Sequence, residues 1–268
     1  MKLLETNQVQ SILLELMKKV HLFLEEKNIP YYMIGGNALG AIRHGGFIPW
    51  DDDIDIGMFR GDYEKFLEVC GEFDSSYDIV NYRNSKNCDF VLTRIYFPNT
   101  YIDNPTVKDT KLDKRLYFDI FPIDNVPDDN SELSKFEEKI KGKKTLITRI
   151  DTRNYNNPLH IIVAKRIFSF IVSPFRNLIL KKTEGLMRTY ENDNTSRVCS
   201  LCSQYSFKKQ VMPKSYYGTP TLYKFEDEMF YAPENLDSYL TTLYGSNYME
   251  VPPENKRRKG YNIYSLED

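Results

Sequence analysis

Apolar residues recur at helical spacing near the start of the chain: Val9, Leu13, Leu16, Met17, Val20, Phe23 and Leu24. With Thr6 as a candidate N-cap and Pro30 beyond its end, this pattern predicts an amphipathic helix lying against a sheet. Residues 31–34 are short, aromatic and β-leaning, end at Gly35-Gly36, and are followed by the helix-compatible run 38–44. The expected order is strand, glycine turn, helix. Asp53-Ile54-Asp55-Ile56 then alternates with period two, as a strand with one polar and one apolar face does. Asp62 can cap a helix running to about 73. Further strands are expected over 77–82, 90–97 and 116–121, with Asp119 between Phe118 and Ile120. Antiparallel pairing suits strands so closely spaced.

From Ser131 the pattern turns helical, over about 131–150, 158–172 and 175–192, broken by "DTRNYNNP" and by Ser173-Pro174. A short apolar strand at 198–202, a Tyr-rich stretch and a helix over 233–244 ending at Gly245 complete the chain. No internal repeat or low-complexity tract is present. The expected organisation is an α/β (α+β) protein, with a first unit over 1–130, a helical and mixed portion over 131–268, and a boundary near 125–157.

The 268 residues, 41% of them hydrophobic, suffice for a substantial core. A net charge of −2 argues against a protein that holds nucleic acid by bulk positive charge. Any phosphate must be met locally. Cys70, Cys88, Cys199 and Cys202 are too few and scattered for a disulfide framework, so free thiols in a reducing compartment are expected. No apolar leader follows Met1, and nine uncharged residues at 167–175 are too few to span a bilayer, which together point to the cytoplasm.

The chemistry concentrates in "GGNALGAIRHGGFIPWDDDIDIGM", residues 35–58. Alternate side chains of a strand share a face, so Asp53 and Asp55 are expected to project together while Ile54 and Ile56 bury. Two such carboxylates raise one another's pKa unless a divalent cation compensates them. Asp119, in an apolar-Asp-apolar strand, is suited to supply a third oxygen ligand. Three acids can hold two ions, Mg²⁺ being the natural guest, in the arrangement that supports in-line displacement at phosphorus. Gly35-Gly36 at the strand-to-helix turn lets backbone amides approach a phosphate closely. A bare D-x-D recurs by chance, and a solvated acidic turn is its bland reading. The ordered set of Gly-Gly turn, helix, D-h-D-h strand and later h-D-h strand is what singles out a site.

At these residues the chain resembles the LicD family of phosphocholine transferases, whose relatives include fukutin and fukutin-related protein. The resemblance covers residues 30–125 and extends to "FYAPENLDSYLTTLYGSNYMEVPPENKRR" at 230–258, a Pro-led helix, Tyr-Gly and Pro-Pro before a basic residue. The histidine that often follows that basic residue in the family is missing from "RRKGYNIY". The resemblance implies a nucleotidyltransferase-like mixed sheet flanked by helices, with Gly35 and Gly36 as the glycine turn, Asp53 and Asp55 as paired metal ligands, and Asp119 within "YFDIFPID" as the third. It further implies Mg²⁺ or Mn²⁺, a CDP-choline or similar CDP-alcohol donor, a glycan or lipid-linked oligosaccharide acceptor, and CMP as product. One of Asp53, Asp55 and Asp119 takes the acceptor proton, with Asp119 preferred. Another phospho-alcohol, a nucleotide, a GT-A glycosyl transfer or a silent binding module are the competing readings.

Asn37, Arg43, Trp50, Asp51 and Arg94 join Gly35 and Gly36 as candidate substrate contacts. Arg43 can clamp a phosphate or form a surface ion pair. Arg94, charged and mid-strand, needs a partner, either the donor phosphates or an aspartate. Asp51 and Asp52 can support the ligands, contact the acceptor or remain solvated. Trp50 can stack on a base or sugar, although packing of its loop is preferred. His21, His44 and His160 are read as structural, and Cys199-x-x-Cys202 as ordinary thiols rather than half a zinc site. The segment 161–180 is read as a core helix pair in preference to a membrane-surface element. Lys256 to Lys259 is read as a solvated tail.

Overall fold

A computed structural model describes residues 1–86, 88–103, 114–151, 159–257 and 260–267. The "DTRNYNNP" linker beyond Asp151, and Arg258 and Lys259 of the basic tail, lie outside the described residues.

After a two-residue strand β1 (Lys2–Leu3), helix α1 (Thr6–Glu26) buries Val9, Leu13, Leu16, Met17, Val20 and Leu24. These are the residues that its periodicity marks, except Phe23, which is only half-buried against the core. Its N-cap is Glu5 rather than Thr6, closed by a reciprocal capping box with Gln8. Strand β2 (Tyr32–Met33) leads directly into helix α2 (Gly35–His44), so the glycine pair is the helix's first turn. Strand β3 (Asp55–Phe59) and helix α3 (Arg60–Val69) follow, with Asp62 in the first turn of α3 rather than at its cap. Next come β4 (Asp78–Val80), β5 (Thr93–Tyr96), β6 (Thr100–Asp103) and the long β7 (Tyr117–Val126).

Helices α4 (Asn130–Asp151), α5 (Leu159–Val172) and α6 (Arg176–Met187) form the helical middle. The last quarter comprises β8 (Arg197–Cys199), α7 (Phe207–Gln210), β9 (Met212–Pro213), α8 (Lys214–Tyr217), the hairpin β10 (Thr221–Phe225) with β11 (Glu228–Ala232), α9 (Leu236–Tyr244) and β12 (Asn262–Ser265).

The main sheet is mixed, in the order β2-β3-β7-β5-β4, with β3 and β7 parallel and the other pairs on this path antiparallel. Strand β7 is its spine. Its first half pairs with β5 and its second half with β8, so residues from the C-terminal portion complete the sheet. Pro122, which has no N–H, sits where β7 passes from one partner to the other. The hairpin β10–β11 and α9 pack onto α2, and a separate three-stranded sheet joins β1, β12 and β6. A large core unites α1, the sheet, the hairpin and α9, and a second cluster lies under α4, α6 and the 199–207 segment.

The helical middle departs from a core helix pair. Helix α5 packs on α4, yet Val163, Ile167, Phe170 and Ile171 remain exposed. It is apolar on more of its circumference than one neighbour covers.

Candidate active site

The site is built on one row of the sheet. Asp55 of β3 stands directly opposite Asp119 of the parallel β7, and Asp119 stands directly opposite Arg94 of the antiparallel β5. Residues in direct register share a face of the sheet, so two carboxylates and one guanidinium lie side by side. Arg94 Nε donates to Asp119 Oδ1 at 2.8 Å. Among the described residues this is the one hydrogen bond of that guanidinium, which is held between the rings of Phe90 (4.3 Å) and Tyr117 (3.9 Å). Burial pushes the Asp119 carboxyl above its ordinary value, and the Arg94 charge works against that shift.

Asp53 lies just before the strand. The ladder begins at Asp55 because the Asn37 side chain takes the place of a strand neighbour: its Oδ1 accepts from the Asp55 N–H at 2.6 Å and its Nδ2 donates to the Asp53 carbonyl at 3.2 Å. Asn37 is therefore a brace of the acid segment, nearly fully buried beneath it. Carboxylate oxygens of Asp51, Asp52 and Asp53 all lie within 4.8 Å of one another, the one group of metal-ligand spacing among the described residues. The structure thus gathers Asp53 with Asp51 and Asp52, and Asp55 with Asp119.

The glycine turn faces these acids. Gly35 has φ of +56°, a left-handed conformation that a side chain would strain, and a Cβ there would meet Asp55 Oδ2 at 3.9 Å. At Gly36 a Cβ would lie 2.7 Å from Asp51 Oδ2. Only glycine lets that carboxylate approach the N-terminal turn of α2, where negative charge is favoured. Asp52 turns elsewhere: its Oδ2 accepts from the Tyr261 N–H at 2.8 Å and binds the C-terminal segment to the acid loop.

Two candidates face away from the acids. Arg43 sits in the last turn of α2, about 12 Å along the axis from Gly35. Its Nη1 donates to the carbonyls of Tyr248 and Glu250, and its Nε to His44 Nε2 at 3.0 Å. It fastens the segment after α9. Trp50 packs its ring under the Arg257 guanidinium at 4.3 Å and edge-on to His44. The four cysteines are free thiols, with Cys88 and Cys199 buried.

Four tyrosines that no spacing singles out enclose the acids. Tyr239 OH accepts from the Gly35 N–H at 3.0 Å, and Tyr205 and Tyr244 share a 3.0 Å hydroxyl hydrogen bond. Tyr244 OH stands 3.9 Å from where a Gly35 Cβ would be. Burial raises the pKa of Tyr117, Tyr205 and Tyr239 against the opposing Arg94 charge, Tyr244 hydroxyl and Gly35 N–H respectively, with smaller help from nearby aspartates, so these hydroxyls stay protonated. They come from β7, the 199–207 loop and α9. The signal for the last pair was the "DSYLTTLYG" stretch, in which Tyr239 and Tyr244 belong to the C-terminal pattern already noted. Tyr205 also lines a cavity of about 270 Å³ with Lys141, Ser200, Ser203, Phe207 and Gln210.

The donor set is made of hard oxygen ligands, and its concentration of negative charge fits a divalent cation better than a soft metal. Asp51, Asp52 and Asp53 have the spacing to hold such an ion, and the Asp55–Asp119 pair of the sheet adds two further carboxylates in register.

Comparison with known proteins accords with this geometry. Residues 28–157, which carry the glycine turn, the acid loop, β3, β5 and β7, match the LicD/FKTN/FKRP nucleotidyltransferase domain. Over those residues the chain belongs to the LicD/FKTN/FKRP family. It is 27% identical over 266 residues, 96% of each chain, to the lipopolysaccharide cholinephosphotransferase LicD of Haemophilus influenzae. It is 44% identical over 48 residues to the ribitol 5-phosphate transferase FKRP of Homo sapiens, which covers 18% of this chain and 10% of that protein. An uncharacterized protein of Rickettsia prowazekii is 39% identical over 75 residues, 28% of each chain. The present chain is thus an enzyme of the LicD phosphotransferase family with a mixed α/β nucleotidyltransferase fold. Among the described residues of this LicD-family enzyme, no helix is long and apolar enough to cross a membrane.

Proposed function

We propose that this enzyme transfers phosphocholine from CDP-choline to a sugar hydroxyl of a cell-surface glycan or teichoic-acid precursor and releases CMP. The observation that carries the reading is the row of Asp55, Asp119 and Arg94 beside the Gly35-Gly36 turn. The full-length similarity to a lipopolysaccharide cholinephosphotransferase supports choline as the alcohol.

In this reading the acceptor oxygen attacks the phosphorus that carries choline. The bond from that phosphorus to the bridging oxygen breaks, and CMP leaves with its electron pair. Asp53, Asp55 and Asp119 would hold Mg²⁺ or Mn²⁺, and two such ions would supply charge neutralisation at the donor diphosphate and a lowered pKa at the acceptor hydroxyl. Arg94, fixed by Asp119 and two aromatic faces, offers its Nη groups to a donor phosphate oxygen. The protonated hydroxyls of Tyr205 and Tyr239 supply neutral hydrogen bonds beside the charged groups. Asp119, whose carboxyl burial pushes above its ordinary value against the opposing charge of Arg94, is our choice to take the acceptor proton. The cavity beside Tyr205 receives the acceptor sugar: its serines, Gln210 and Lys141 match hydroxyls, and Phe207 gives an apolar wall.

Mass spectrometry of products formed with Mg²⁺ from CDP-choline, CDP-ribitol, CDP-glycerol and nucleoside triphosphates tests the reading. Phosphocholine on the acceptor with equimolar CMP is the expected result. Ribitol phosphate as the group moved would keep the chemistry and replace the donor, as the short match to FKRP suggests. A transferred sugar, or unaltered function in Asp55→Asn, would overturn it.

A further inference from the structure

From α5 and the start of α6 we infer that this enzyme docks peripherally on the surface of an anionic bilayer, an inference independent of which group it transfers. Val163, Ile167, Phe170 and Ile171 fall at i, i+4, i+7 and i+8, one stripe of α5. All four are exposed, Phe170 to 84%. Phe175, in the turn Ser173–Phe175, and Leu178 of α6 extend the exposed apolar surface beyond α5. Single exposed apolar residues are ordinary, but a contiguous set on one element marks an interaction surface.

Charge selects the occupant. Residues 159–182 contain Lys165, Arg166, Arg176, Lys181 and Lys182 and no Asp or Glu, in a chain whose net charge is −2. Lys181 and Lys182 are themselves exposed, just beyond the apolar stripe. An exposed apolar stripe with Lys181 and Lys182 just beyond it, on a helix of 14 residues that is too short to span a bilayer, matches an interfacial element whose apolar residues enter the headgroup boundary while those lysines meet anionic lipid. A protein partner or a second copy would meet the apolar stripe equally well, but the exposed Lys181 and Lys182, in a stretch of sequence without one carboxylate from 159 to 182, match an anionic sheet of headgroups.

The test is sedimentation of the full chain with vesicles of phosphatidylcholine alone and of phosphatidylcholine with one quarter phosphatidylglycerol. Retention on the anionic vesicles, weak retention on the neutral ones and release by 0.5 M salt are expected. Phe170→Asp should abolish retention, and Lys181→Glu with Lys182→Glu should lower partitioning on the order of tenfold. Both variants should melt within about 1 °C of the parent, because exposed positions contribute little to stability. If Phe170→Asp unfolds, the double lysine variant reads the proposal alone. Absence of retention on anionic vesicles, retention that neither variant lowers, or a dimer in light scattering that Phe170→Asp splits while vesicles bind nothing would each overturn it.

Discussion

Strand β7 carries two aspartates five residues apart that face opposite sides of the sheet and are treated in opposite ways. Asp124 is closed off: Arg60 grips both its oxygens, Nε to Oδ1 at 2.7 Å and Nη2 to Oδ2 at 2.9 Å. Arg60 also meets Glu184 at 3.1 Å, and Glu184 and Glu64 meet Arg83 in turn, with Tyr82 hydrogen-bonded to Glu184. Every carboxylate in that network faces a guanidinium. Asp119, on the other face, is reached by Arg94 through a single nitrogen and stands beside another carboxylate, Asp55. A structural charge cluster is balanced from within, whereas a site that works on charged ligands concentrates one sign.

Removing a carboxylate from the acid-rich face should therefore harm catalysis and spare the fold. Asp55→Asn is expected to lower kcat on the order of 10³-fold, the scale of losing preorganised electrostatic stabilisation, with no fall in Tm. Chelation of divalent ions should do the same to the parent enzyme. A steady-state assay paired with a thermal melt checks both. A large loss of Tm in Asp55→Asn would erase the contrast between the two faces.

The mirror experiment is Arg60→Met. It leaves Asp124 buried without its cation, while Glu184 keeps Arg83; this costs about 3–5 kcal/mol, while kcat per folded molecule should stay within a few-fold. Denaturant unfolding alongside the product assay reads the two effects separately.

How far the sequence disclosed this contrast depends on how local each contact is. Asp55, Asp119 and the glycine turn were legible because period-two alternation and a Gly-Gly break are written in consecutive residues. The placing of Asp53 ahead of the strand was not, because it hangs on the Asn37 amide, 16 residues away, taking over two backbone groups. Arg94 had two readings, and register alone decides that it meets Asp119. The tyrosine wall was hidden for a different reason. In a chain of twenty tyrosines, only the packing of α9 onto α2 and of the 199–207 loop onto α9 tells Tyr205, Tyr239 and Tyr244 from the rest. The Arg60 network was equally silent, since its members come from α3, β7, α6 and the 82–83 turn.

Arg94 sharpens the comparison, being a cation shared between a carboxylate and the proposed donor. Arg94→Lys keeps the charge but loses the planar fork and the fit between Phe90 and Tyr117. Its KM for the CDP-alcohol should rise on the order of tenfold, the equivalent of one charged hydrogen bond, with a smaller change in kcat. Initial rates at varied donor concentration distinguish this from a purely structural pair, for which kcat and KM would hold while Tm falls. Tyr205→Phe should have a milder effect. Losing its hydrogen bond to Tyr244 is worth about 1 kcal/mol, a few-fold in kcat/KM, and melts of the variant should show a loss of similar size.

The smallest effect is in the acid limb of the stability curve. Burial pushes the Glu64 carboxyl up, but the hydrogen bond and charge of Arg83, with Arg188 and Arg60 beyond, outweigh it and hold the carboxyl below its ordinary value of 4.5. A carboxylate depressed in the folded state binds fewer protons there than in the unfolded chain. Its stabilising contribution is therefore fully present above the unfolded pKa and is lost as pH falls from that value through the lower folded one. Glu64→Gln should remove this part of the dependence, so that parent and variant converge in stability as pH drops below about 4.5 and separate above it. Urea unfolding at pH 3.5, 4.5, 5.5 and 7 measures the gap. A gap that stays constant across the series would mean that Glu64 serves the network by packing alone, and the closed charge balance assigned to that face of the sheet would rest on Asp124 and Glu184 without it.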